Sequence, residues 1–269
     1  MTNDETRGGQ YADVNGVHLY YEVHGTGGPL VLLHGGLGSG EMFGPVLPAL
    51  TEHHQVILPD LQGHGRTADV DRPLDVRLMA DDVAALVDHL DLGPVDVVGY
   101  SLGGGVGLQA AIRHPATVRR LVAACAHIRR DALYPQMLAQ QAQVGADAVE
   151  FMKQTPMYEL YQRVAPHPED FARLLDKIGA SMALDFDFSD GVRGLQVPTL
   201  VLAADADMAP PSHYVEVFAL LGGGQRDGGW DGSGRPDGGH ALAILPGLTH
   251  YDLFASPLFA ATSLAFLAG

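Results

Sequence analysis

Three apolar runs constrain the fold most: Pro29 to His34 (PLVLLH), Gln55 to Pro59 (QVILP) and Val95 to Tyr100 (VDVVGY). Runs of this kind suit strands covered on both faces, the habit of a parallel sheet. Helical patterns lie between them. The clearest spans Asp75 to Leu92, where Val76, Met79, Val83, Leu86, Val87 and Leu90 recur at three- and four-residue intervals with acids on the other side. Strands alternating with helices predict an α/β protein. With 269 residues, 46% of them hydrophobic and 18% charged, the chain can bury a sizeable core in one large domain or one with an insertion.

The rest of the chain extends the pattern. Gln10 to His24 holds two β-like runs around Asn15-Gly16, a dipeptide suited to a two-residue hairpin turn. Leu102 to His114 reads as a helix stopped by Pro115, Arg119 to Ala126 as a strand, and Pro198 to Ala204 as another. Pro211 to Leu221 reads as a helix, Ala241 to Leu245 as the last strand and Pro257 to Leu267 as the last helix. Between His127 and Val197 the alternation fails, with helical signals and no convincing strand. The expected division is a core of residues 1–127 and 196–269 with a helical cap inserted at 128–195. Most of the cap's Met and aromatic residues fit helix packing, while some, with Met137, Met157 and Tyr161 as candidates, are expected to face a substrate pocket. Gly222 to Gly239 contains nine glycines in 18 residues and reads as a surface loop with Trp230 in its middle, available to anchor it to the body or to a subunit.

Charge narrows the partners. A net charge of −16 disfavours a nucleic-acid backbone or an anionic membrane surface, so a small-molecule substrate is expected. Cys125 stands alone, which precludes an internal disulfide and a cysteine-rich zinc site and fits a reducing compartment. The stretch Met1 to Gly9 carries no visible signal or transit segment, and the expected location is cytoplasmic. Leu253 to Gly269 is uncharged, but Pro257 interrupts it and no Lys or Arg flanks it, so it reads as a buried terminal helix and not a membrane span. Whether the chain forms a homo-oligomer stays open.

Chemistry enters at Gly99-Tyr100-Ser101-Leu102-Gly103, a G-x-S-x-G string with an apolar strand before it and a helix after it. A serine hydroxyl is a poor nucleophile at neutral pH. It needs a base within hydrogen-bond reach, and the base needs an acceptor that fixes its tautomer. Asp205 and Asp207 follow the strand Pro198 to Ala204, and His250 follows the strand Ala241 to Leu245, which gives the order Ser, Asp, His expected of such an elbow.

Five strings in order now carry a resemblance over nearly the whole chain: His34-Gly35-Gly36, Asp60-Leu-Gln-Gly63-His-Gly65, Gly-Tyr-Ser101-Leu-Gly, Ala-Asp-Ala-Asp207-Met-Ala-Pro210 and Pro-Gly-Leu-Thr-His250. Together they resemble the α/β-hydrolase fold of the capped, esterase-like kind. The resemblance implies a mostly parallel eight-stranded sheet flanked by helices, with a nucleophile at Ser101, a base at His250 and an orienting acid at Asp207, which lies shortly before Pro210. Asp205 is the alternative acid, and His240 a rival base that precedes the final strand. An oxyanion site is expected from the backbone amides of Leu102 and of Gly36, or else Leu37, with Phe43 close behind in the pocket. Gln62 stands where many relatives carry arginine, and the glycine-rich stretch lengthens the gap between Asp207 and His250. No cofactor and no metal are expected, since His53, His54, His64 and His114 form no ligand pattern.

Two other classes compete. A nucleotide-binding oxidoreductase is suggested by Gly36-Leu-Gly38-Ser-Gly40 after a strand, but Glu41 falls where the third glycine belongs, and Ser101, Asp207 and His250 go unexplained. A non-catalytic ligand-binding protein would keep the fold without turnover. Among enzymes, a serine at the elbow argues against haloalkane dehalogenases and epoxide hydrolases of this fold. Esterase, lactonase, carbon–carbon bond hydrolase and cofactor-free peroxidase chemistry stay open, with ester cleavage first.

Overall fold

The computed structural model describes residues 9–269, so the stretch Met1 to Gly9, expected to carry no targeting signal, lies, apart from Gly9, outside the described residues. The chain opens with a hairpin of β1 (Gln10–Val14) and β2 (Val17–His24). Asn15 (φ 49°) and Gly16 (φ 82°) both take positive φ, the twist that a two-residue turn needs to return one strand on another. β3 (Gly28–Leu33), β4 (His54–Pro59), β5 (Val95–Tyr100), β6 (Val118–Ala124), β7 (Thr199–Ala206) and β8 (Ala241–Thr249) complete one sheet in the order β1-β2-β4-β3-β5-β6-β7-β8. β2 pairs antiparallel with both neighbours, and the pairings from β4 to β8 are parallel. All six residues of β5 are buried, as expected of a strand sandwiched between two helical layers.

One face carries α2 (Val76–His89) and α3 (Leu102–Arg113). Asp75 caps α2 by accepting from the Arg77 N–H at 2.8 Å, and Met79, Val83, Leu86 and Val87 turn inward. The other face packs α1 (Leu47–Thr51) and α10 (Pro257–Leu267) on Leu30, Leu32, Val98 and Leu202. α9 (Pro211–Leu220) follows β7. Among the described residues no helix is long and apolar enough to cross a membrane.

Between β6 and β7 run α4 (Pro135–Gln141), α5 (Val149–Met152), α6 (Pro156–Val164), α7 (Phe171–Ala183) and α8 (Ser189–Arg193), with one isolated bridge between Arg129 and Asp187. Polar ties hold this helical insertion to the loops beyond the strands. Lys177 Nζ donates to Asp69 at 2.9 Å, to the Val70 carbonyl at 2.6 Å and to the Arg72 carbonyl at 2.8 Å, while Arg163 pairs with Glu41 at 2.6 Å.

Two strands end elsewhere than expected, and one helix is added. β6 stops at Ala124 because Cys125 turns into the left-handed region (φ 51°), which an apolar side chain does not announce. β8 runs on to Thr249, past Pro246 and Gly247, with a shift of register opposite β7 between Ala204 and Ala206. α1 is an additional short helix. The glycine-rich stretch is a loop with a short helical turn at Asp237–Gly239, and Trp230 is fully exposed in it, so within this chain the ring anchors nothing.

Candidate active site

Ser101 sits between β5 and α3 at φ 53° and ψ −115°, a conformation that a residue with a Cβ rarely adopts. The surroundings impose it. The Ser101 N–H donates to the Ala124 carbonyl at 2.8 Å, and the Gly103 N–H donates to the His34 carbonyl at 3.0 Å, which ties the turn to β6 and to the end of β3. Glycine is required on both sides. A Cβ on Gly99 would lie 2.1 Å from the Gly103 carbonyl oxygen, and one on Gly103 would lie 2.3 Å from that of Leu33. Backbone packing thus selects the glycines, and the hydroxyl is left standing at the carboxyl end of the sheet.

His250 reaches that hydroxyl from the end of β8. Its Nε2 lies 3.0 Å from Ser101 Oγ, and its Nδ1 lies 2.6 Å from Asp207 Oδ1. An imidazole nitrogen that close to a carboxylate carries the hydrogen, so the Nε2 lone pair faces the serine. The Tyr100 hydroxyl donates to the His250 carbonyl, and the two rings lie 5.3 Å apart. Asp207 Oδ1 also accepts from the Met208 N–H at 2.7 Å. Burial pushes the Asp207 carboxyl up, but the hydrogen bond and charge of His250, helped by Cys125 and Met208, outweigh it and hold the group below its ordinary value.

The other assigned positions fall as follows. Asp205 is exposed, and its Oδ2 accepts from the Gly247 N–H at 2.9 Å, away from His250. His240 Nδ1 accepts from the Thr199 N–H at 3.3 Å at the far end of β7. Gly36 and Leu37 form the turn after β3, closed by a 3.2 Å bond from the Gly38 N–H to the Gly35 carbonyl, and Gly36 is exposed. Leu102 opens α3, so its N–H has no acceptor within the helix.

The turn is braced from behind. His34 is buried, its Nδ1–H donates to the Gly35 carbonyl at 2.7 Å and its Nε2 accepts from the Leu61 N–H at 2.9 Å. Burial lowers its pKa to about 4, so it stays neutral and keeps both bonds. Asp60 holds the Gly40 and Arg66 N–H groups, each at 2.8 Å.

The structure places the four expected pocket residues as follows. Phe43 is fully buried and stacks on Phe259 at 6.3 Å in the layer of α10, away from the surface. Tyr161 is 7% exposed and packs on Phe171 at 5.2 Å inside the helical insertion. Met137 is half-buried against the core and Met157 is 38% exposed on α6.

Several neighbours of His250 and Asp207 escape a sequence reading. Cys125, Tyr214 and His127 gather around them from the end of β6 and from α9. Burial lowers the His127 pKa to about 4, with His213 and His250 adding to the effect, so this ring is neutral near pH 7. Their position past a strand's carboxyl end is the one available signal. Among the described residues one trio could hold a metal: Cys125 Sγ, an Asp207 oxygen and a His250 nitrogen lie within 4.8 Å of one another. Ligation would need the thiolate, yet burial and the Asp207 charge push the Cys125 thiol well up, and the other two groups already hold each other.

Comparison with known proteins matches this fold. Residues 28–163 fit the family model described as the alpha/beta hydrolase fold. A protein of Yersinia enterocolitica named "Putative carbamate hydrolase RutD" is 31% identical over 92% of this chain and 94% of its own. A pimeloyl-[acyl-carrier protein] methyl ester esterase of Neisseria meningitidis is 32% identical over 71% of this chain and 89% of its own. A crystal structure of a hydrolase from Pseudomonas aeruginosa superposes with a TM-score of 0.71 and 25% identity, covering 98% of this chain and 99% of that one. The matched model, these relatives and the eight-stranded sheet place the chain in the α/β-hydrolase fold family.

Proposed function

We propose that the protein is a serine hydrolase that cleaves a small or medium carboxylic ester through an acyl-enzyme intermediate. The observation that carries this reading is the continuous relay from Ser101 Oγ through both nitrogens of His250 to Asp207, with contacts of 3.0 and 2.6 Å. Ser101 Oγ attacks the acyl carbon while His250 Nε2 takes its proton. As the tetrahedral intermediate collapses, the carbon–oxygen bond to the alcohol breaks and Nε2 returns the proton to the departing oxygen. Water then repeats the sequence on the acyl group and frees Ser101. Asp207 holds the imidazole in the tautomer that the first step needs and stabilises the imidazolium.

Negative charge on the carbonyl oxygen would be met by the N–H groups of Leu102 and Gly36, and one such donor is worth roughly 3 to 4 kcal/mol in the barrier. The helical insertion, tied to the loops beyond β3 and β4, is read as a cap that shapes the acyl and alcohol pockets. A carbamate is the second reading, favoured by the relative that matches 92% of the chain.

The deciding experiment incubates the chain with p-nitrophenyl esters of increasing length beside lactones, amides and carbamates, and with a fluorophosphonate probe. Turnover of esters and a probe adduct located by mass spectrometry on Ser101 are expected, with both lost in Ser101→Ala. An unlabelled Ser101, or turnover surviving in Ser101→Ala, overturns the proposal.

A further inference from the structure

The Asp207 carboxylate uses its two oxygens unequally. Oδ1 accepts from His250 and Met208, whereas Oδ2 is buried and has no partner at hydrogen-bond distance. A buried, ionised oxygen left unpaired is costly, and such an atom in a native site calls for an explanation. The Tyr214 hydroxyl, 1% exposed on α9, is likewise buried without a partner. Cys125, with no exposure at all, turns at φ 51° just past β6, where its N–H is held by the Leu202 carbonyl at 2.8 Å and its Sγ lies within 4.8 Å of an Asp207 oxygen and a His250 nitrogen. A non-glycine residue rarely takes that backbone angle without a local reason.

We infer that Tyr214 and Cys125 are positioning residues whose hydroxyl and thiol turn to the partnerless oxygen of Asp207 as charge builds on His250, and so fix the imidazole at Ser101; this rests on the serine-hydrolase reading. Burial together with the Asp207 charge pushes the phenol and the thiol well above their ordinary values, so both keep the hydrogen they donate. The need is greatest in the middle of the reaction. When His250 becomes an imidazolium, the carboxylate must stay ionised and must not rotate, and donors on Oδ2 serve both ends. The other titratable groups around the pair are Tyr100 on β5, His127 after β6, His213 on α9, and Tyr251 and Asp252 after β8. Burial lowers His127 and His213, the latter with Arg129 adding to it, so neither supplies charge near neutral pH.

The test compares Tyr214→Phe, Cys125→Ala and Cys125→Ser with the wild-type chain. Its readouts are the rate of fluorophosphonate labelling at Ser101 and, for ester turnover, kcat, KM and the pH profile. Circular dichroism verifies the fold. Loss of a donor on Oδ2 concentrates charge on Oδ1 and favours the imidazolium. The acidic limb of kcat/KM then moves up by about half a pH unit or more. Tyr214→Phe is expected to slow labelling and kcat roughly tenfold with KM little changed, the pattern of a contact that matters in the transition state. Cys125→Ala should act in the same direction, with Cys125→Ser restoring the rate. Folded Tyr214→Phe and Cys125→Ala with wild-type labelling rates and an unmoved limb overturn the inference. Should Tyr214→Phe not fold, equal rates in Cys125→Ala and Cys125→Ser overturn it instead. A wild-type chain that is not labelled at Ser101 sinks the serine-hydrolase reading itself, and this one with it.

Discussion

Asp69, on the loop after β4, and Lys177, on α7, meet at 2.7 Å with the carboxylate only 2% exposed. Arg173 reaches the same carboxylate at 3.0 Å, so the helical insertion grips one buried anion with two cations. Removing the anion leaves Lys177, which is only 20% exposed, with two carbonyl oxygens and no counter-charge. Breaking a buried pair from one side costs about 3 kcal/mol or more. Asp69→Ala is therefore expected to lower the urea midpoint by an amount of that order and to speed proteolytic cleavage within the insertion. An unchanged midpoint with unchanged cleavage would show that this clamp contributes nothing.

Asp60 makes stability depend on pH in an unusual direction. Burial raises its pKa to about 6, against the opposing effects of the Arg66 and Gly40 amides and the Arg66 charge. An unfolded Asp titrates near ~4. The native chain thus holds the extra proton between those values, and this group's contribution falls as pH rises from about 4 to 6, by up to roughly 3 kcal/mol. Asp60→Asn removes that slope. It also leaves two amide donors facing one acceptor oxygen, since the Asn nitrogen cannot accept. Chemical denaturation of both chains from pH 4 to 7 should show the wild type losing stability relative to Asp60→Asn across the window. Parallel curves would refute the assignment.

The two acids after β7 offer a direct contrast. Asp207 accepts from His250, the base in the proposed mechanism, while Asp205 caps the Gly247 amide in solvent. Asp207→Asn keeps the shape but presents a mixed donor and acceptor to the imidazole, which permits the wrong tautomer. A fall in kcat of about 10⁴ is expected by analogy with other triads. Asp205→Asn should leave kcat near wild type. If the larger loss falls on Asp205→Asn, the orienting acid has been misassigned.

How much of this was legible depended on how local the physics is. α2 and β5 announce themselves because one buried face, or two, dictates which positions are apolar. Ser101 was legible because its turn excludes side chains at Gly99 and Gly103, a constraint written within five residues. The full burial of Phe43 escapes a local reading because its partner, Phe259, comes from the far end of the chain. The same applies to Tyr214 and Cys125. One reads as a core aromatic of a helix and the other as the tail of an apolar strand, and only the assembled sheet brings them to Asp207. The end of β8 was hidden for a different reason. Pro246-Gly247 has the composition of a stop, yet Gly247 at φ 70° admits a bulge after which pairing resumes between Thr249 and Ala206.

The glycines of α3 give a last prediction, because neighbours of the same type are held for opposite reasons. A Cβ on Gly103 would press against two carbonyl oxygens, Leu33 at 2.3 Å and His34 at 2.6 Å. Neither oxygen can retreat without breaking the end of β3, from which the Gly36 turn starts. Gly105 is two residues on. A Cβ there would meet only Val76 Cγ1 at 3.5 Å, an ordinary contact, and its φ is not in the left-handed region. In a helix interior alanine is better than glycine by about 1 kcal/mol. Gly105→Ala is therefore expected to raise Tm by a few degrees with fluorophosphonate labelling of Ser101 intact, while Gly103→Ala lowers Tm sharply and abolishes labelling even in the fraction that folds. If both substitutions were tolerated alike, backbone crowding at the elbow could not be what holds Ser101 in its strained conformation.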